Sequence, residues 1–280
     1  MPISSQRSNA MADATTDYLG FFEETSKKAQ VEKPSALEWS SARRIIAAWF
    51  RDPWQFSKKK MNRTCPICDF KGVFISVGWP SRWEARCPKC ASRERHRLMS
   101  LWMKASGHDL LVDKRILHFA PEKAFKRMLR HHPHYETADL GQRGVTHQID
   151  VNIPDSVGAF DVVIAHHLLE HIDDDRKAIS EFFRVLKPGG FAILSVPLNG
   201  TRQTTYENPC VVERNDRLLH YGGHDHKRMY GLDFSDKLEE AGFVVETFRA
   251  TPEAEVAFSL LFNEWIYIAG KPKQSKPHNA

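Results

Sequence analysis

FDVVIAHHLLEHIDDDRKAISEFFRVLKPGGFAILSVP, residues 160–197, decides the fold. It begins with a short apolar run, Val162 to Ala165, closed by His166 and His167. A run rich in β-branched residues, without polar alternation, reads as a strand buried on both faces. Asp173 to Asp175 then open a segment in which Ala178, Phe182, Val185 and Leu186 recur at helical spacing. Pro188, Gly189 and Gly190 stop that helix, and Phe191 to Val196 supply a second apolar strand. Strand, amphipathic helix and strand form the repeating unit of a parallel sheet with helices on its faces.

The same alternation extends outward. RILHFA (115–120) reads as a strand, and EKAFKRMLRHH (122–132) as a helix with Phe125, Met128 and Leu129 on one side. HYETADL (134–140) and THQIDV (146–151) read as two more strands, ending near Asp139 and Asp150. Toward the end, FSDKLEEAGFVVETFRA (234–250) is a helix then a strand, and EWIYIAGKP (264–272) a last strand. The pattern predicts an α/β, doubly wound, Rossmann-like sheet, whose ligands bind at the carboxyl ends of its strands.

Length and composition bound the rest. The chain has 280 residues, 41% hydrophobic and 27% charged, as in a soluble globular protein with one large domain and a small one. It offers no apolar run of the roughly 18 residues that a membrane span needs. Residues 1–34 have neither the apolar core of a secretory signal nor the acid-poor character of a transit peptide, and are read as a disordered leader of a cytoplasmic protein. Residues 273–280 are read as a flexible tail. The net charge of +5 is uneven: residues 43–115 hold 17 Lys/Arg against six Asp/Glu, among Trp49, Trp54, Trp79, Trp83 and Trp102. Basic charge among aromatics fits either an RNA-binding face or a solvated surface over a small Trp-based core.

That basic stretch contains CPIC (Cys65, Cys68) and CPKC (Cys87, Cys90), separated by 18 residues. Two residues between thiolates let a tight turn aim both sulfurs at one tetrahedral ion, and the full pattern has zinc-site spacing. KGVFISVGWPSRWEAR between the pairs reads as a hairpin, and ASRERHRLMSLWMK after them as a helix. Residues 35–110 are thus read as a helical lead-in and a treble-clef or zinc-ribbon-like module with structural zinc. Disulfides, the other use of such pairs, are disfavoured in a reducing compartment. Cys210 stands apart and is read as a buried filler.

FD-V, then LEHI, then a helix and R-LKPGG make residues 160–197 resemble the core of class I S-adenosylmethionine-dependent methyltransferases. The resemblance covers about residues 111–272 and implies the strand order and an antiparallel final strand. It also implies that Phe119, Ala120, Pro121 and Glu122 form the first cofactor turn, that Asp139 and Leu140 meet the ribose, and that Asp150 and Val151 meet the adenine. The turn departs from the family pattern, with His118 in the place of an acid and no glycine. Glu122 either replaces the missing acid or caps the helix. His166 and His167 end the fourth strand beside the site of methyl transfer, with His166 read as lining both the cofactor and the catalytic pocket. His171 is read as structural.

Residues 198–231 form an unusually long connection, rich in ring and titratable groups, and such segments commonly bind substrate. Tyr206, Asp225, Arg228 and Tyr230 are expected to hold the acceptor. His224, His226, Tyr206 and His166 are the catalytic candidates, since an imidazole near neutrality can accept a hydroxyl proton. HDH (224–226) alone has poor geometry for a metal. The expected activity is methyl transfer to a hydroxyl of a small metabolite or sugar. RNA bound through residues 43–115, or a non-catalytic binding role, are the alternatives.

Overall fold

The computed structural model describes residues 39–51, 53, 62–78, 81–262 and 264–273. The expected leader, the tail beyond residue 273, Trp54 and Trp79 lie outside the described residues. Two compact units emerge: residues 1–97 with 252–259, and residues 98–251 with 260–280. The break expected at 110/111 therefore falls at 97/98, and a short C-terminal segment joins the first unit.

In the first unit, α1 (Trp39–Arg51) is followed by β1 (Arg63–Thr64) and β2 (Lys71–Gly72), an antiparallel pair. The expected hairpin forms between β3 (Ile75–Val77) and β4 (Arg82–Arg86), with a bulge between Ile75 and Val77. Ala48, Ile75, Val77 and Ala85 make its small core. The helix α2 (Glu94–Trp102) starts here as anticipated.

The second unit is built on one six-stranded sheet. Its strands are β5 (Ile116–Phe119), β6 (Tyr135–Ala138), β7 (Phe160–His166), β8 (Leu186–Ser195), β9 (Val244–Phe248) and β10 (Ile266–Gly270). They lie in the order β6-β5-β7-β8-β10-β9; β5, β6, β7 and β8 pair in parallel, and β10 runs antiparallel to both its neighbours. This is the doubly wound, Rossmann-like sheet that the sequence predicts.

Side chains alternate across each strand, and the two-residue period splits the core into two layers. Leu117, Phe119, Val163, Ala165, Ala192 and Leu194 face Ala178, Ile179 and Phe182 of α3 (Asp175–Val185). The intervening Ile116, Val162, Ile164 and Ile193 face Leu98, Met99 and Trp102, with Phe125 and Leu129 of α4 (Lys123–Leu129, earlier in the chain). Asp174 caps α3 by accepting from the Lys177 N–H at 2.9 Å. Gly190 is required where α3 returns to the sheet, since a Cβ there would sit 2.7 Å from the Asp161 carbonyl oxygen.

The strand expected over 146–151 shrinks to one bridge, between His147 and Ala138. Its first ladder positions are taken by side chains. The Thr137 N–H donates to Thr146 Oγ1 at 3.0 Å, and the Thr146 N–H to Thr137 Oγ1 at 3.1 Å. Beyond His147, Asp150 turns the chain by accepting from the Asn152 N–H at 2.8 Å. The long connection is likewise not a bare loop. It contains the helix α5 (Arg214–Tyr221) and bridges Leu198 to Tyr230 and Tyr206 to Met229. A final pair of helices, α6 (Phe234–Glu240) and α7 (Pro252–Phe258), brackets β9 in the chain. No helix among the described residues is long and apolar enough to cross a membrane.

Candidate functional site

The four cysteines of the first unit stand on two turns of the same design. In one, the Cys65 N–H donates to the Phe70 carbonyl at 2.8 Å and the Asp69 N–H to the Cys65 carbonyl at 2.9 Å. In the other, Cys87 bonds Ser92 and Ala91 bonds Cys87, each at 2.9 Å. Asp69 and Ala91 hold the same left-handed backbone, at φ 57° and 61°. Each turn thereby points two sulfurs inward. All four Sγ atoms lie within 4.8 Å of one another, with Cys65–Cys90 at 3.5 Å and Cys68–Cys87 at 3.7 Å. Thiolates about 2.3 Å from a tetrahedral ion are about 3.8 Å apart, so the set fits zinc. At this spacing the thiols perturb one another strongly. Donation from Cys65, Cys68 and Cys87 pushes Cys90 down, while its neighbours push Cys87 up.

Much of the basic charge around this set is already engaged. Arg44 donates to the Pro88 carbonyl at 2.6 Å, Arg63 pairs with Glu84 at 2.7 Å, and Arg82 lies 3.5 Å from Glu94. Arg97 is fully buried. Trp83 is exposed and Trp102 buried.

In the second unit, the expected cofactor residues lie at or after strand ends. Ala120, at the end of β5, adopts φ 44° and so performs the left-handed turn without a glycine. Its N–H donates to the Ala138 carbonyl at 2.9 Å. Phe119 and Pro121 are buried, and Glu122 stands at the N-terminus of α4 without a side-chain cap bond. His118 is buried, with Nδ1 2.8 Å from the Tyr135 hydroxyl. Asp139 Oδ1 accepts from the N–H groups of Gly141 and Gln142, at 2.8 and 2.7 Å, which leaves Oδ2 without a partner among the described residues. Leu140 is exposed and Val151 buried. Both Asp150 oxygens are held by Asn152.

The expected catalytic and acceptor residues fall into separate groups. His166 is buried against Phe125, ring centroids 4.5 Å apart and nearly parallel, with Nδ1 2.8 Å from Ser195 Oγ. Tyr206 pairs with His220 at 2.8 Å, and His224 Nδ1 lies 3.1 Å from the Arg214 carbonyl. Arg228 is buried and fully engaged, donating to the carbonyls of Leu169, Ile172 and Asp173 and to both oxygens of Glu207. Tyr230 is also buried and donates to Asp175 at 2.9 Å. These contacts make Arg228 and Tyr230 anchors of the long connection. Cys210 is exposed, which corrects the expectation of a buried filler.

His226 takes a different place. Together with Glu170 and His171 it forms a group whose ligand atoms lie within 4.8 Å of one another, just beyond the end of β7. Asp225 points to His171 Nδ1, at 3.4 Å, and not to either flanking histidine. His167 completes the group at φ 49°, 3.4 Å from Glu170 and 3.2 Å from Glu264. Burial works against its charge, but the two carboxylates outweigh it and raise its pKa to about 9. Sequence reasoning treated His171 as structural and passed over Glu170 and Glu264. A signal existed in His167-x-x-Glu170, a spacing that puts both residues on one side of a helical turn.

Residues 126–194 match the family described as a methyltransferase domain. A probable S-adenosylmethionine-dependent methyltransferase of Mycolicibacterium smegmatis is 27% identical over 142 residues, 50% of this chain and 48% of the relative. The chain thus spans about half the length of that curated relative. Among solved structures, the CurJ carbon methyltransferase aligns at 16% identity and TM-score 0.45, over 67% of this chain and 56% of its own. An S-adenosylmethionine-dependent methyltransferase of Mesorhizobium loti aligns at 17% identity and TM-score 0.43, over 62% and 99%. The matched stretch of the methyltransferase domain contains β6, β7, α3 and most of β8.

Proposed function

We propose that the protein is an S-adenosylmethionine-dependent methyltransferase acting on a hydroxyl of a small metabolite or sugar. The observation that carries this reading is the place of the family match: it covers the parallel strands whose carboxyl ends carry Asp139 and His167. The residues at those ends fit the cofactor. Asp139 keeps one oxygen available for a ribose hydroxyl, and a carboxylate suits a vicinal diol because each oxygen accepts a bond. The Ala120 turn, with Phe119, Pro121 and Glu122, supplies the adjoining wall, and Leu140, Asp150 and Val151 the adenine edge. When bound, the cofactor supplies a methyl group already activated by its sulfonium.

The protein's share is alignment of the acceptor. His226, whose Nδ1 faces the Tyr221 carbonyl, brings an imidazole to the group formed with Glu170 and His171, which fits a polar acceptor better than a hydrocarbon one. His167, held as an imidazolium by two carboxylates, orients that group and does not serve as the base. In the first unit, Cys65, Cys68, Cys87 and Cys90 hold a structural zinc ion, whose four thiolates leave no open position for chemistry.

The test is transfer of a tritiated methyl group from the cofactor, by the full chain, into fractionated metabolites and RNA, alongside calorimetry of cofactor binding. Label in a hydroxylated metabolite is expected. Asp139→Ala is expected to weaken cofactor binding by about 1–3 kcal/mol and, by freeing the Gly141 and Gln142 N–H groups, to lower the melting temperature slightly. Label confined to RNA would replace the acceptor, and absence of any cofactor binding would overturn the activity.

A further inference from the structure

Glu170 is fully buried, yet among the described residues neither of its carboxylate oxygens has a hydrogen-bond partner. Such a group is costly, and buried charges are ordinarily paired, hydrogen-bonded or bound to a metal. The groups facing it are imidazoles: the His167 imidazolium, whose Nδ1 pairs with one carboxylate oxygen at a long 3.4 Å, and His171, whose Nε2 stands 3.9 Å away. His226 comes in from the other side, its ring edge-on to that of His171 with centroids 5.0 Å apart.

The far side of each ring fixes which nitrogen carries the proton. His226 Nδ1 lies 3.0 Å from the Tyr221 carbonyl, which can only accept, so in the neutral ring Nδ1 carries the proton and Nε2 the lone pair. Asp225 Oδ2 stands 3.4 Å from His171 Nδ1 and favours the same tautomer, leaving the Nε2 lone pair toward Glu170. Imidazoles that donate one N–H to a carbonyl or carboxylate and offer the other nitrogen inward are arranged like metal-bound histidines. Two further contacts secure the arrangement. A Cβ on Gly223 would collide with the His226 ring, and the Lys227 N–H donates to the Glu170 carbonyl at 2.8 Å.

We propose that Glu170, His171 and His226 bind a divalent transition-metal ion, oriented by Asp225 and the Tyr221 carbonyl. Two imidazoles and one carboxylate suit zinc, nickel or cobalt better than magnesium or calcium. Binding draws the three atoms closer than they now stand, and half-exposed His171 and His226 have the freedom to close in. Three protein ligands leave one position of a tetrahedral ion open to water or to an acceptor oxygen. His226 is then a ligand and not the proton acceptor. The site's role toward an acceptor rests on the proposed methyl transfer; its binding of metal does not.

The test is calorimetric titration of the full chain, first loaded with one equivalent of zinc to fill the cysteine set, with nickel chloride and no cofactor. One further equivalent is expected in the wild type. Binding is expected to be lost in Glu170→Gln and at least ten-fold weaker in His226→Ala, and Asp225→Asn is expected to lose roughly ten- to a hundred-fold. His224→Ala is expected to bind as the wild type does. Thermal melts of each variant separate ligand loss from unfolding, and half-exposed His226 keeps the test usable if the Glu170 variant does not fold. Absence of a second equivalent in the zinc-loaded wild type, or wild-type affinity in both His171→Ala and His226→Ala, would overturn the proposal. Cofactor binding is measured separately, so failure of either reading leaves the other standing.

Discussion

Among the described residues Arg97 and Arg228 are the two largest fully buried side chains, one in each unit, and their charges are balanced in opposite ways. Arg97 donates only to carbonyls, those of Ala85, Ser92, Phe258 and Ser259, and lies over the Phe74 ring. Burial pulls its pKa down, opposed by Glu94 and then by Cys65, Cys87 and Cys90. Arg228 adds a two-pronged pair with Glu207, at 2.9 and 3.0 Å, to its carbonyl bonds, and stands 3.8 Å from Asp175. Burial opposes its charge, yet these carboxylates raise its pKa. Four thiolates around a divalent ion carry two net negative charges. With the proposed zinc bound, the first unit would set Glu94 and the thiolate set against its arginine, whereas the second sets carboxylates alone.

The sharpest way to break this contrast is to remove the metal set. Cys87→Ser is expected to release zinc and unfold the first unit, because binding energies on the order of 10 kcal/mol are folding energies in such modules. Metal analysis and hydrogen exchange over residues 62–97 check it, and protection retained without zinc would contradict it. Arg228→Ala comes next. It strands three carbonyls, releases half-exposed Glu207 to water and leaves Asp175 to Lys237 and Tyr230, and is expected to cost about 3 kcal/mol in urea unfolding, with no change in zinc content.

A third effect depends on pH. Burial works to raise the Asp175 carboxyl, but Lys237, Arg228 and Tyr230 together hold it below the usual carboxylate range. The unfolded chain therefore takes up this proton more readily than the native state. The resulting stability is complete above the unfolded value of about 3.9 and is lost as pH falls through the lower native one. Asp175→Asn is expected to flatten the acid limb of stability in urea melts below about pH 5. The smallest effect lies at the strained turn. Ala120→Gly relieves a left-handed alanine at the expense of backbone entropy, for a net gain of up to about 1 kcal/mol, visible as a small rise in melting temperature.

What could be read in advance follows the same division between local and distant. The cysteine turns are legible because each is complete within six residues, and the spacing itself encodes the geometry. β7 is legible because both its faces are covered, which forces an uninterrupted apolar run. The strand at 146–151 was over-read because two threonine hydroxyls replace the ladder there, and hydroxyls do not alter apolar periodicity. The grouping of Glu170, His171 and His226 joins stretches 55 residues apart through Arg228 and the Lys227 amide. Arg228 read as a substrate contact for the same reason: a cation in a long connection looks exposed until the carbonyls it reaches are known.

The membership of residues 252–259 in the first unit bears on how the protein is made. Arg97 cannot meet the Phe258 carbonyl, 2.7 Å from its Nε, until 161 more residues have left the ribosome. Ser259, which donates to the Glu84 carbonyl at 2.8 Å, arrives just as late. During synthesis the cysteine turns and the Ala85 and Ser92 carbonyls are present early, while the guanidinium beside them waits for its other two acceptors through translation of nearly the whole parallel sheet. A nascent chain stalled before residue 252 therefore carries the four cysteines without the segment that completes their unit. Fragments cut at the first domain boundary that the sequence offers share that defect.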